Sequence, residues 1–360
     1  INSPIPKSLL MISDFGARDT ALGKHNAFYN TLEEMTKHWK RIDVICPGGR
    51  WRGKKIGSTQ IFQNVYIHPS PWSLFFQPFW INKKGMEIYQ EEVFDVITVN
   101  EYPPFYKSMA VRRLARKTKV PFMIEVMHIT GYPKAGSIKE YLYRWFWQLG
   151  VRWAVKKAAA VRVINKTQTQ TFLIRHGIPA GLIKYVPAFY IDLDIFKPTN
   201  VQKIYDLIFI GRRVANKGID LFETIVQKMS MRNPNIKSLI IDGWAKDAQE
   251  ISDLINQSRL LVMPSYNEGG PRVILEAMAC GVPVVATPVG IVPDILEESP
   301  DSILVSDWNA DELSQKVSRL LTDVGAYKKQ SEAGLLCVQK FEKSEAIKNY
   351  AQALESIIYG

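Results

Sequence analysis

Short apolar runs alternate with longer amphipathic segments along the first half of the chain. Five of these runs have the length and the largely apolar character of buried strands: Ser8 to Ile12, Ile42 to Cys46, Val93 to Val99, Phe122 to Val126 and Ala159 to Ile164. Strands that are buried on both faces and separated by helices are typical of a parallel sheet with helical crossovers. The pattern therefore predicts an α/β domain.

The same alternation starts again after a polar, proline-containing stretch, Phe196 to Asn200, which is typical of a linker. Five more strands are predicted there: Asp206 to Ile210, Ser238 to Ile241, Leu260 to Met263, Val282 to Ala286 and Ser302 to Val305. The predicted helices are Asp220 to Met231, Val273 to Cys280, Ala310 to Thr322 and Lys343 to Tyr359. We therefore predict two Rossmann-like domains, residues 1–198 and 199–342, facing each other across a cleft, and a helix at 343–360 that returns to the first domain. Ligands in such folds bind outside the carboxyl ends of the strands.

Charge divides the chain at the same place. The 360 residues are 46% hydrophobic and 22% charged, which excludes a disordered or fibrous protein. The net charge is +11, and residues 1–199 hold 29 basic and 14 acidic side chains against 17 and 21 in residues 200–360. The positive first half favours an anionic partner, while a lysine-rich surface without a partner is the alternative.

Cysteine usage and the lack of a long apolar run indicate the cellular location. Cys46, Cys280 and Cys337 lie far apart without a Cys-x-x-Cys pair, which fits a reducing environment and gives no sign of a zinc or redox site. No apolar run reaches the roughly 20 residues of a membrane span, and Ile1 to Lys7 lacks the apolar core of a signal peptide. We expect a cytoplasmic protein; because the first residue is not Met, a preceding leader stays open.

The strongest chemical signal follows the predicted strand Leu260 to Met263. Glu268 and Glu276 are eight residues apart, with Gly269 and Gly270 beside the first and a predicted helix carrying the second. Glycines let a backbone approach a ligand closely, and a helix N-terminus presents unpaired N–H groups to an anion. Since carboxylates accept hydrogen bonds from sugar hydroxyls, the arrangement suits a phosphorylated sugar.

A cationic motif follows the predicted strand Asp206 to Ile210. Gly211 ends the strand, and Arg212 and Lys217 lie five residues apart before Gly218. Two cations at the mouth of a cleft are what a diphosphate requires. We count Gly211 among the donor-binding candidates as well. Taken alone, such a string is also found in solvated loops.

Together the two strings resemble the family 4 retaining glycosyltransferases, which have the GT-B fold. Glu268 to Glu276 matches that family's Glu-x7-Glu motif, and Arg212 to Lys217 matches its Arg-x4-Lys pair. The stretch Ala277 to Thr287 is close to the family's continuation, and Phe189 to Phe196 is similar to the segment between its domains. The resemblance implies that the first domain binds the acceptor and the second binds the donor.

The resemblance also implies a role for each motif residue. Glu276 would hold the ribose hydroxyls of a nucleotide sugar, and Arg212 and Lys217 would neutralise the departing diphosphate. Glu268 would contact the donor sugar beside the amides of Gly269-Gly270. Members of the family need no metal ion, because Arg and Lys stabilise the leaving group instead. We therefore expect a UDP- or GDP-sugar as donor, with no cofactor and no metal.

Three features depart from the family pattern. Gly269-Gly270-Pro271-Arg272 replaces the usual phenylalanine-containing string, and Asp294 stands where Glu is usual. The segment between Gly243 and Pro264 is short and lacks much of the part that commonly contacts the base. The identity of the base therefore stays open.

Candidates in the first half also follow strands. Gly16 and Gly23 lie in a segment, ending at His25, that resembles the family's glycine-containing loop near the donor phosphates and the acceptor. His128 follows the fourth predicted strand, where the family often has a histidine near the transferred sugar. Glu101 follows the third and is, with His25, an acceptor-side candidate. An ordinary connecting loop and a structural histidine are the alternatives.

Aromatic and basic residues are mixed in the first domain. Lys139 to Lys157 combines Trp, Tyr and Phe with five Lys or Arg, a basic cluster lies between Arg112 and Lys119, and Pro71 to Trp80 is rich in aromatics. This composition is typical of a helix at a membrane interface, although aromatic stripes also occur in cores. We therefore predict a saccharide or lipid-linked acceptor and a peripheral position on an anionic membrane surface, the inner face of the cell membrane.

Other classes of protein are less consistent with the sequence. The charge and the aromatics would suit a nucleic-acid-binding protein, but no RRM, KH, zinc-finger or helix-turn-helix string accompanies them, so we expect no nucleic acid partner. A nicotinamide-dependent enzyme requires Gly-x-Gly-x-x-Gly after an early strand, which Gly16 to Gly23 does not supply. A sugar-binding relative without catalysis is disfavoured because both motifs are intact.

Overall fold

Two sheets form the frame of the protein, which we describe from a computed structural model over residues 7–48, 56–242 and 247–359. The strands of the first sheet are β1 (Ser8–Ile12), β2 (Arg41–Cys46), β3 (Thr59–Ile61), β4 (Val65–Pro69), β5 (Val96–Asn100), β6 (Phe122–Val126), β7 (Ala160–Val163) and β8 (Ile183–Tyr185). Their order is β3-β4-β2-β1-β5-β6-β7-β8, with β3 antiparallel to β4 at one edge and the other neighbours parallel.

The second sheet is smaller and parallel throughout. Its strands are β9 (Tyr205–Ile210), β10 (Ser238–Ile241), β11 (Ser258–Met263), β12 (Val284–Ala286) and β13 (Leu304–Val305), in the order β10-β9-β11-β12-β13. All ten predicted strands are confirmed, with ends that shift by a few residues. The prediction of two α/β domains in series is therefore correct.

Helices flank both sheets. They are α1 (Phe15–Ala21), α2 (Ala27–Met35), α3 (Gln77–Glu91), α4 (Tyr106–Thr118), α5 (Ile138–Ala154), α6 (Thr171–Arg175), α7 (Ile219–Arg232), α8 (Ala248–Asn256), α9 (Arg272–Ala279), α10 (Val292–Glu298), α11 (Ala310–Thr322), α12 (Val324–Val338) and α13 (Lys343–Glu355). Within the described residues, no helix combines the length and the apolar character that crossing a bilayer requires.

The strands of the first sheet are largely apolar because the sheet is covered on both faces. Leu10 and Ile12 of β1 belong to the apolar core that lies under α3, α4 and α5. Leu9 and Met11 belong to the core on the opposite face. Successive residues of a strand point to opposite sides, so a strand between two cores has no polar face.

The last helix returns to the first domain, as predicted. Ile347, Tyr350 and Leu354 of α13 are buried in the same core as Leu9 and Met11. The helix therefore completes one face of a domain whose strands lie far earlier in the chain.

The chain crosses between the two sheets twice, and the two crossings are adjacent. Ile191 on the outgoing crossing forms a parallel β-bridge with Glu342 on the return. The Ile191 N–H donates to the carbonyl oxygen of Phe341 at 2.8 Å. The predicted domain boundaries at residues 198 and 342 stay predictions.

Candidate active site

The two motifs of the second domain meet at the carboxyl ends of β9 and β11, which are neighbours in the sheet. Lys217 Nζ lies 2.5 Å from Glu268 Oε1, and both side chains are largely buried. Ser265 Oγ donates to the same carboxylate oxygen at 3.1 Å. An ion pair shielded from water in this way fixes the position of the Lys217 ammonium group.

The loops that carry this pair are also joined through their backbones. The Tyr266 N–H donates to the Asn216 carbonyl at 2.8 Å, and Asn216 Nδ2 donates to the Asn267 carbonyl at 3.1 Å. Gly218 has φ +66°, and a Cβ there would lie 2.1 Å from the carbonyl oxygen of Pro264. The sequence analysis assigned no role to Gly218. Its position directly after Lys217 and before a predicted helix was the signal for a tight turn.

Arg212 follows Gly211 at the end of β9 and is exposed. Gly211 is tightly enclosed, because a Cβ there would lie 3.3 Å from the Phe209 ring and 3.5 Å from Lys217 Cδ. Arg212 and Lys217 thus leave the same strand end, one at the surface and the other beside Glu268. Their predicted contacts with a diphosphate stay predictions.

Gly269 and Gly270 are packed against the protein itself. A Cβ on Gly269 would lie 2.2 Å from the Met127 carbonyl oxygen, and one on Gly270 would lie 1.5 Å from Phe189 Cζ. Asn165 Nδ2 donates to the Gly269 carbonyl at 2.8 Å. Contact with the first domain accounts for Gly269, and contact with Phe189 of the connector accounts for Gly270, while their contact with a donor stays a prediction.

Glu276 lies on the first turns of α9. Burial raises the pKa of its carboxyl group, and nearby Arg272 opposes that shift. The Arg272 guanidinium stacks on Tyr190 at 4.4 Å from the ring centroid. Pro271, the N-cap residue of α9, provides no side-chain hydrogen bond to the N–H groups of the first turn.

His128 of the first domain completes the cluster from across the cleft. It keeps some exposed surface, but its Nε2 atom is buried and makes no hydrogen bond of normal geometry. Burial lowers the pKa of His128, while the nearby carboxylates of Glu268 and Glu140 oppose this shift. The structure thus brings three of the four predicted catalytic residues, Glu268, Lys217 and His128, into one neighbourhood.

Asn267 is a residue of the site that sequence reasoning missed. Its fully buried side chain accepts from the Gly131 N–H at 3.2 Å and donates to the Lys134 carbonyl at 2.9 Å and to Glu140 Oε2 at 2.8 Å. These bonds tie the loop of Glu268 to the first domain. A polar residue within the motif, next to Glu268, was the only signal in the sequence.

The prediction of a glycine-containing loop after β1 is wrong in its local structure. Phe15 to Ala21 form helix α1, so Gly16 lies in a helical turn, and its carbonyl accepts from Asn26 Nδ2 at 2.9 Å. Asn26 also caps α2, which ends any extended loop there. Gly23, with φ +85°, lies in the turn between the helices. Exposed His25 in the same turn stacks on Tyr29, with 4.2 Å between the ring centroids.

Glu101 is fully buried where α4 begins. Its carboxylate accepts from the Tyr102 N–H at 2.9 Å and from both the N–H and the hydroxyl of Ser108. Burial raises the pKa of Glu101, and Lys107 and these hydrogen bonds oppose the shift. An acceptor would have to replace those bonds, so the acceptor-side role of Glu101 stays a prediction, as does that of His25.

Acidic side chains are scattered rather than gathered. In the described part of the chain, no three His, Cys, Asp or Glu side chains converge as a metal-binding group. Asp192, in the connector, is 3.7 Å from Lys343 Nζ. The expectation that the reaction needs no metal ion stays a prediction.

The fold is shared with proteins of known structure. Sucrose-phosphate synthase from Thermosynechococcus elongatus is similar with a TM-score of 0.78 and 14% identity, over 98% of this chain and 99% of that one. HepE from Anabaena, in complex with UDP and glucose, is similar with a TM-score of 0.69 and 16% identity, over 97% and 99%. The fold is GT-B.

Sequence comparison adds a partial match on this GT-B frame. Residues 236–323, which include Glu268 and Glu276, match the family model of glycosyl transferases group 1. The N,N'-diacetylbacillosaminyl-diphospho-undecaprenol alpha-1,3-N-acetylgalactosaminyltransferase of Campylobacter jejuni is 35% identical over 167 residues, 41% of this chain and 44% of that protein. The chain spans less than half the length of several curated relatives that it matches.

Proposed function

We propose that the protein is a glycosyltransferase that moves a sugar from a nucleotide-sugar donor to a saccharide or lipid-linked acceptor. The contact between Lys217 and Glu268 carries the proposal, because it joins both motifs at one edge of the donor-side sheet. His128 lies beside this pair, so a sugar bound there would touch groups of both domains. The group 1 match and the glycosyltransferase names of the relatives support the same reaction.

The cations would act on the leaving group. As the bond between the sugar and the diphosphate breaks, negative charge grows on the diphosphate, where Arg212 and Lys217 would stabilise it. Glu268 holds Lys217 in place before the donor binds, and preorganised charge of this kind lowers the barrier without reorganisation. We propose transfer with retention and without a metal ion, as the resemblance to family 4 implies, and Glu276 as the ribose ligand.

The donor is proposed to be a UDP- or GDP-sugar. HepE, with the same fold, is solved with UDP and glucose, which supports UDP as the first candidate. A nucleic-acid-binding protein is not favoured, since the site combines a shielded Lys–Glu pair with the half-buried His128. A non-catalytic relative is not favoured either, because the motif residues Glu268, Glu276, Arg212 and Lys217 are all present.

A thermal-shift screen of UDP-, GDP- and ADP-sugars tests this proposal, followed by a transfer assay with the nucleotide sugar that stabilises the protein. We expect one class of nucleotide sugar to raise Tm, and Arg212→Ala to weaken that effect. Arg213→Ala is the matched control, because Arg213 points to Glu223 at 3.8 Å on the surface. If no nucleotide sugar stabilises the protein, the proposal is wrong.

The surface of the first domain supports a membrane-bound acceptor. Eight large apolar or aromatic side chains of α5 are exposed, a set that we call the aromatic face: Ile138, Tyr141, Leu142, Tyr143, Trp145, Phe146, Leu149 and Trp153. Trp72, Phe75, Phe76 and Phe79 are exposed around the start of α3. Patches of this size on a soluble domain mark interaction surfaces.

Basic residues border the aromatic face. The Arg112 guanidinium lies 4.1 Å from the Trp153 ring centroid, which places α4 beside α5. Arg113, Arg116 and Lys117 on α4 are exposed, as is Arg152 on α5. Aromatics that enter the interface and cations that meet anionic lipids are the two components of peripheral binding. We therefore propose that this surface docks on an anionic bilayer, where a lipid-linked acceptor would be presented.

Co-sedimentation with vesicles tests the docking. We expect binding to vesicles that contain phosphatidylglycerol, and weaker binding to phosphatidylcholine alone or at high salt, since the charge contribution is screened. A protein that stays in solution with both kinds of vesicle at low salt removes the membrane proposal and leaves the transferase proposal intact.

A further inference from the structure

A cavity of about 130 Å³ lies inside the first domain, where the ends of β1, β5, β6 and β7 meet α2 and α13. Met127 is part of its wall, and His128 is the next residue along the chain. The Met127 carbonyl also faces Gly269 of the donor-side motif. The cavity is therefore adjacent to the proposed site of transfer, and none of the residues singled out in the sequence lines it.

Three polar atoms at this cavity are buried without a hydrogen bond of normal geometry. They are Thr98 Oγ1, Asn100 Oδ1 and the hydroxyl oxygen of Tyr350. Among the described residues, Thr98 and Glu125 are polar neighbours of the Tyr350 hydroxyl, and Tyr102 is a polar neighbour of Asn100. Since these neighbours do not reach normal hydrogen-bond geometry, the three groups keep the capacity to bond to a ligand in the cavity. The Asn100 amide is oriented by its other end, since Nδ2 donates to Asp14 at 2.7 Å.

The charged part of the wall is already neutralised. Arg162 Nη1 donates to Glu125 Oε1 at 3.0 Å, with both side chains almost fully buried. Arg162 also donates to the carbonyls of Val186 and Pro187, each at 3.0 Å. Because the cation is paired and tied to the backbone, the cavity does not select for an anion such as phosphate. It offers hydroxyl and amide groups to a neutral ligand.

Tyr350 contributes a hydroxyl group to the wall of the cavity. Its ring stacks under the Arg162 guanidinium, 3.8 Å from the ring centroid. Burial, and next the carboxylate of Glu125, raise the pKa of Tyr350 well above its usual value, so the phenol stays protonated and can donate. The rest of the lining is mainly apolar and includes Phe28 and Tyr190. Aromatic rings with a few hydroxyl partners suit the two kinds of surface on a sugar ring.

We propose that this cavity binds one uncharged, hydroxyl-bearing ring of the saccharide acceptor. The identification of this sugar as the acceptor rests on the proposed function. Thr98, Asn100 and Tyr350 would exchange hydrogen bonds with ring hydroxyls, and α13 would be part of the acceptor site. Ordered water in the same space is the competing occupant.

Saturation-transfer NMR with glucose, galactose, N-acetylglucosamine and N-acetylgalactosamine tests the cavity without any nucleotide sugar. We expect at least one sugar to bind the full-length protein, and Tyr350→Phe and Thr98→Val each to weaken it about five- to tenfold, the effect of one lost hydrogen bond. Tyr359→Phe, on an exposed tyrosine, is the control. Failure of the nucleotide-sugar screen would leave this result unaffected, so the two proposals fail separately.

Stability separates a ligand-binding hydroxyl from a structural one. Removing a buried hydroxyl whose contacts with the protein lack normal hydrogen-bond geometry should change Tm little, whereas removing a structural hydroxyl should lower it. Ala346 lines the cavity, and Ala346→Leu should fill the space and abolish sugar binding in a folded protein. The proposal is overturned if no sugar binds, if binding survives in the Thr98→Val/Tyr350→Phe double variant, or if Tyr350→Phe lowers Tm and leaves binding unchanged.

Discussion

Among single residues, Lys217 is the one whose removal should separate catalysis from folding. Its ammonium group is fixed by Glu268 in the cleft, and losing one stabiliser of developing charge costs about 10²–10³ in turnover. We expect Lys217→Ala to lower kcat by that factor in a protein that still folds, with a reduced Tm because the largely buried Glu268 loses its partner. Lys228→Ala is the matched control, because Lys228 pairs with Asp311 at 2.7 Å on the exposed side of α7. Activity near wild type in Lys217→Ala would defeat the assigned role.

His128 should make stability depend on pH. Burial holds its pKa below the value of about 6.5 expected in the unfolded chain, so between these two values the unfolded chain binds more protons. The unfolding free energy should therefore rise with pH up to about 6.5 and then level off. Glu268 and Glu140 oppose this effect and Lys217 adds to it.

Urea unfolding of wild type and His128→Asn from about pH 5 to 8 measures this contribution. The difference between the two proteins should grow as pH rises to about 6.5 and stay constant above it. His25→Asn, which removes an exposed imidazole, is the control. If the difference in unfolding free energy between the two proteins does not change with pH, the His128 ring has the same pKa in the folded and unfolded states.

Predicting the site from the sequence worked where one sheet decides the geometry. Lys217 and Glu268 could be expected to meet, because each follows a parallel strand of the same sheet. Asn267 could not be assigned, since its partners Gly131 and Glu140 come from the other domain. Gly270 had a reasonable explanation in ligand approach, while its actual neighbour is Phe189, whose position depends on how the connector folds.

Among the elements, the turn between β9 and α7 is tightly constrained by its glycine. Gly218 has a left-handed conformation, which costs a residue with a side chain about 1–2 kcal/mol, and a Cβ would also clash with the Pro264 carbonyl. We expect Gly218→Ala to destabilise the protein by at least about 2 kcal/mol and to reduce activity by displacing Lys217.

Gly181→Ala is the control for that change, because nothing lies within 4 Å of a Cβ at Gly181. Chemical denaturation and the transfer assay give the two readouts. If Gly218→Ala proved as stable as Gly181→Ala, the Pro264 carbonyl would not restrict the residue at position 218, and this prediction would be wrong.

The apolar residues on the aromatic face of α5 do not pack in the core. Trp145, Phe146 and Leu149 are exposed, so changing all three to Ser should leave Tm nearly unchanged and lower vesicle binding at least about tenfold. Leu336→Ser is the control, since Leu336 is an exposed apolar residue of α12 in the other domain. A loss of Tm in the triple variant would mean that the face packs inside the protein after all.

Elements with strong periodicity were predictable and short or mixed ones were not. β6, β10 and α11 have the predicted bounds because apolar residues fill each of them in a regular pattern. β3 and β8 have three residues each and no fully buried position, so the sequence carries no strand signal there. Helix α1 contains Gly16 and Thr20, which are poor helix formers, and depends on packing against α2 and the sheet.

Across the whole molecule, Asp294 is a main tie between the two domains. It is buried on α10 of the second domain and accepts from the N–H groups of Lys166 and Thr167, at 2.7 and 2.9 Å, and from the Thr167 hydroxyl. Asp294→Ala leaves these donors unpaired, so we expect a loss of about 3 kcal/mol.

Urea unfolding detects that loss, either as a lower midpoint or as two separate transitions once the domains unfold independently. Asp301→Ala is the control, because Asp301 pairs with Lys329 at 2.9 Å on the surface. A single transition at the wild-type midpoint would mean that other contacts hold the domains together.

The place of α13 has a consequence for synthesis on the ribosome. Leu9, Met11 and Leu32 emerge early, but the helix that covers them is made only after the about 150 residues that separate β8 from α13. At about 5–20 residues per second, that interval lasts roughly 8–30 s. During it the second domain can finish folding while the first still exposes an apolar groove to solvent, and a chaperone has time to bind there.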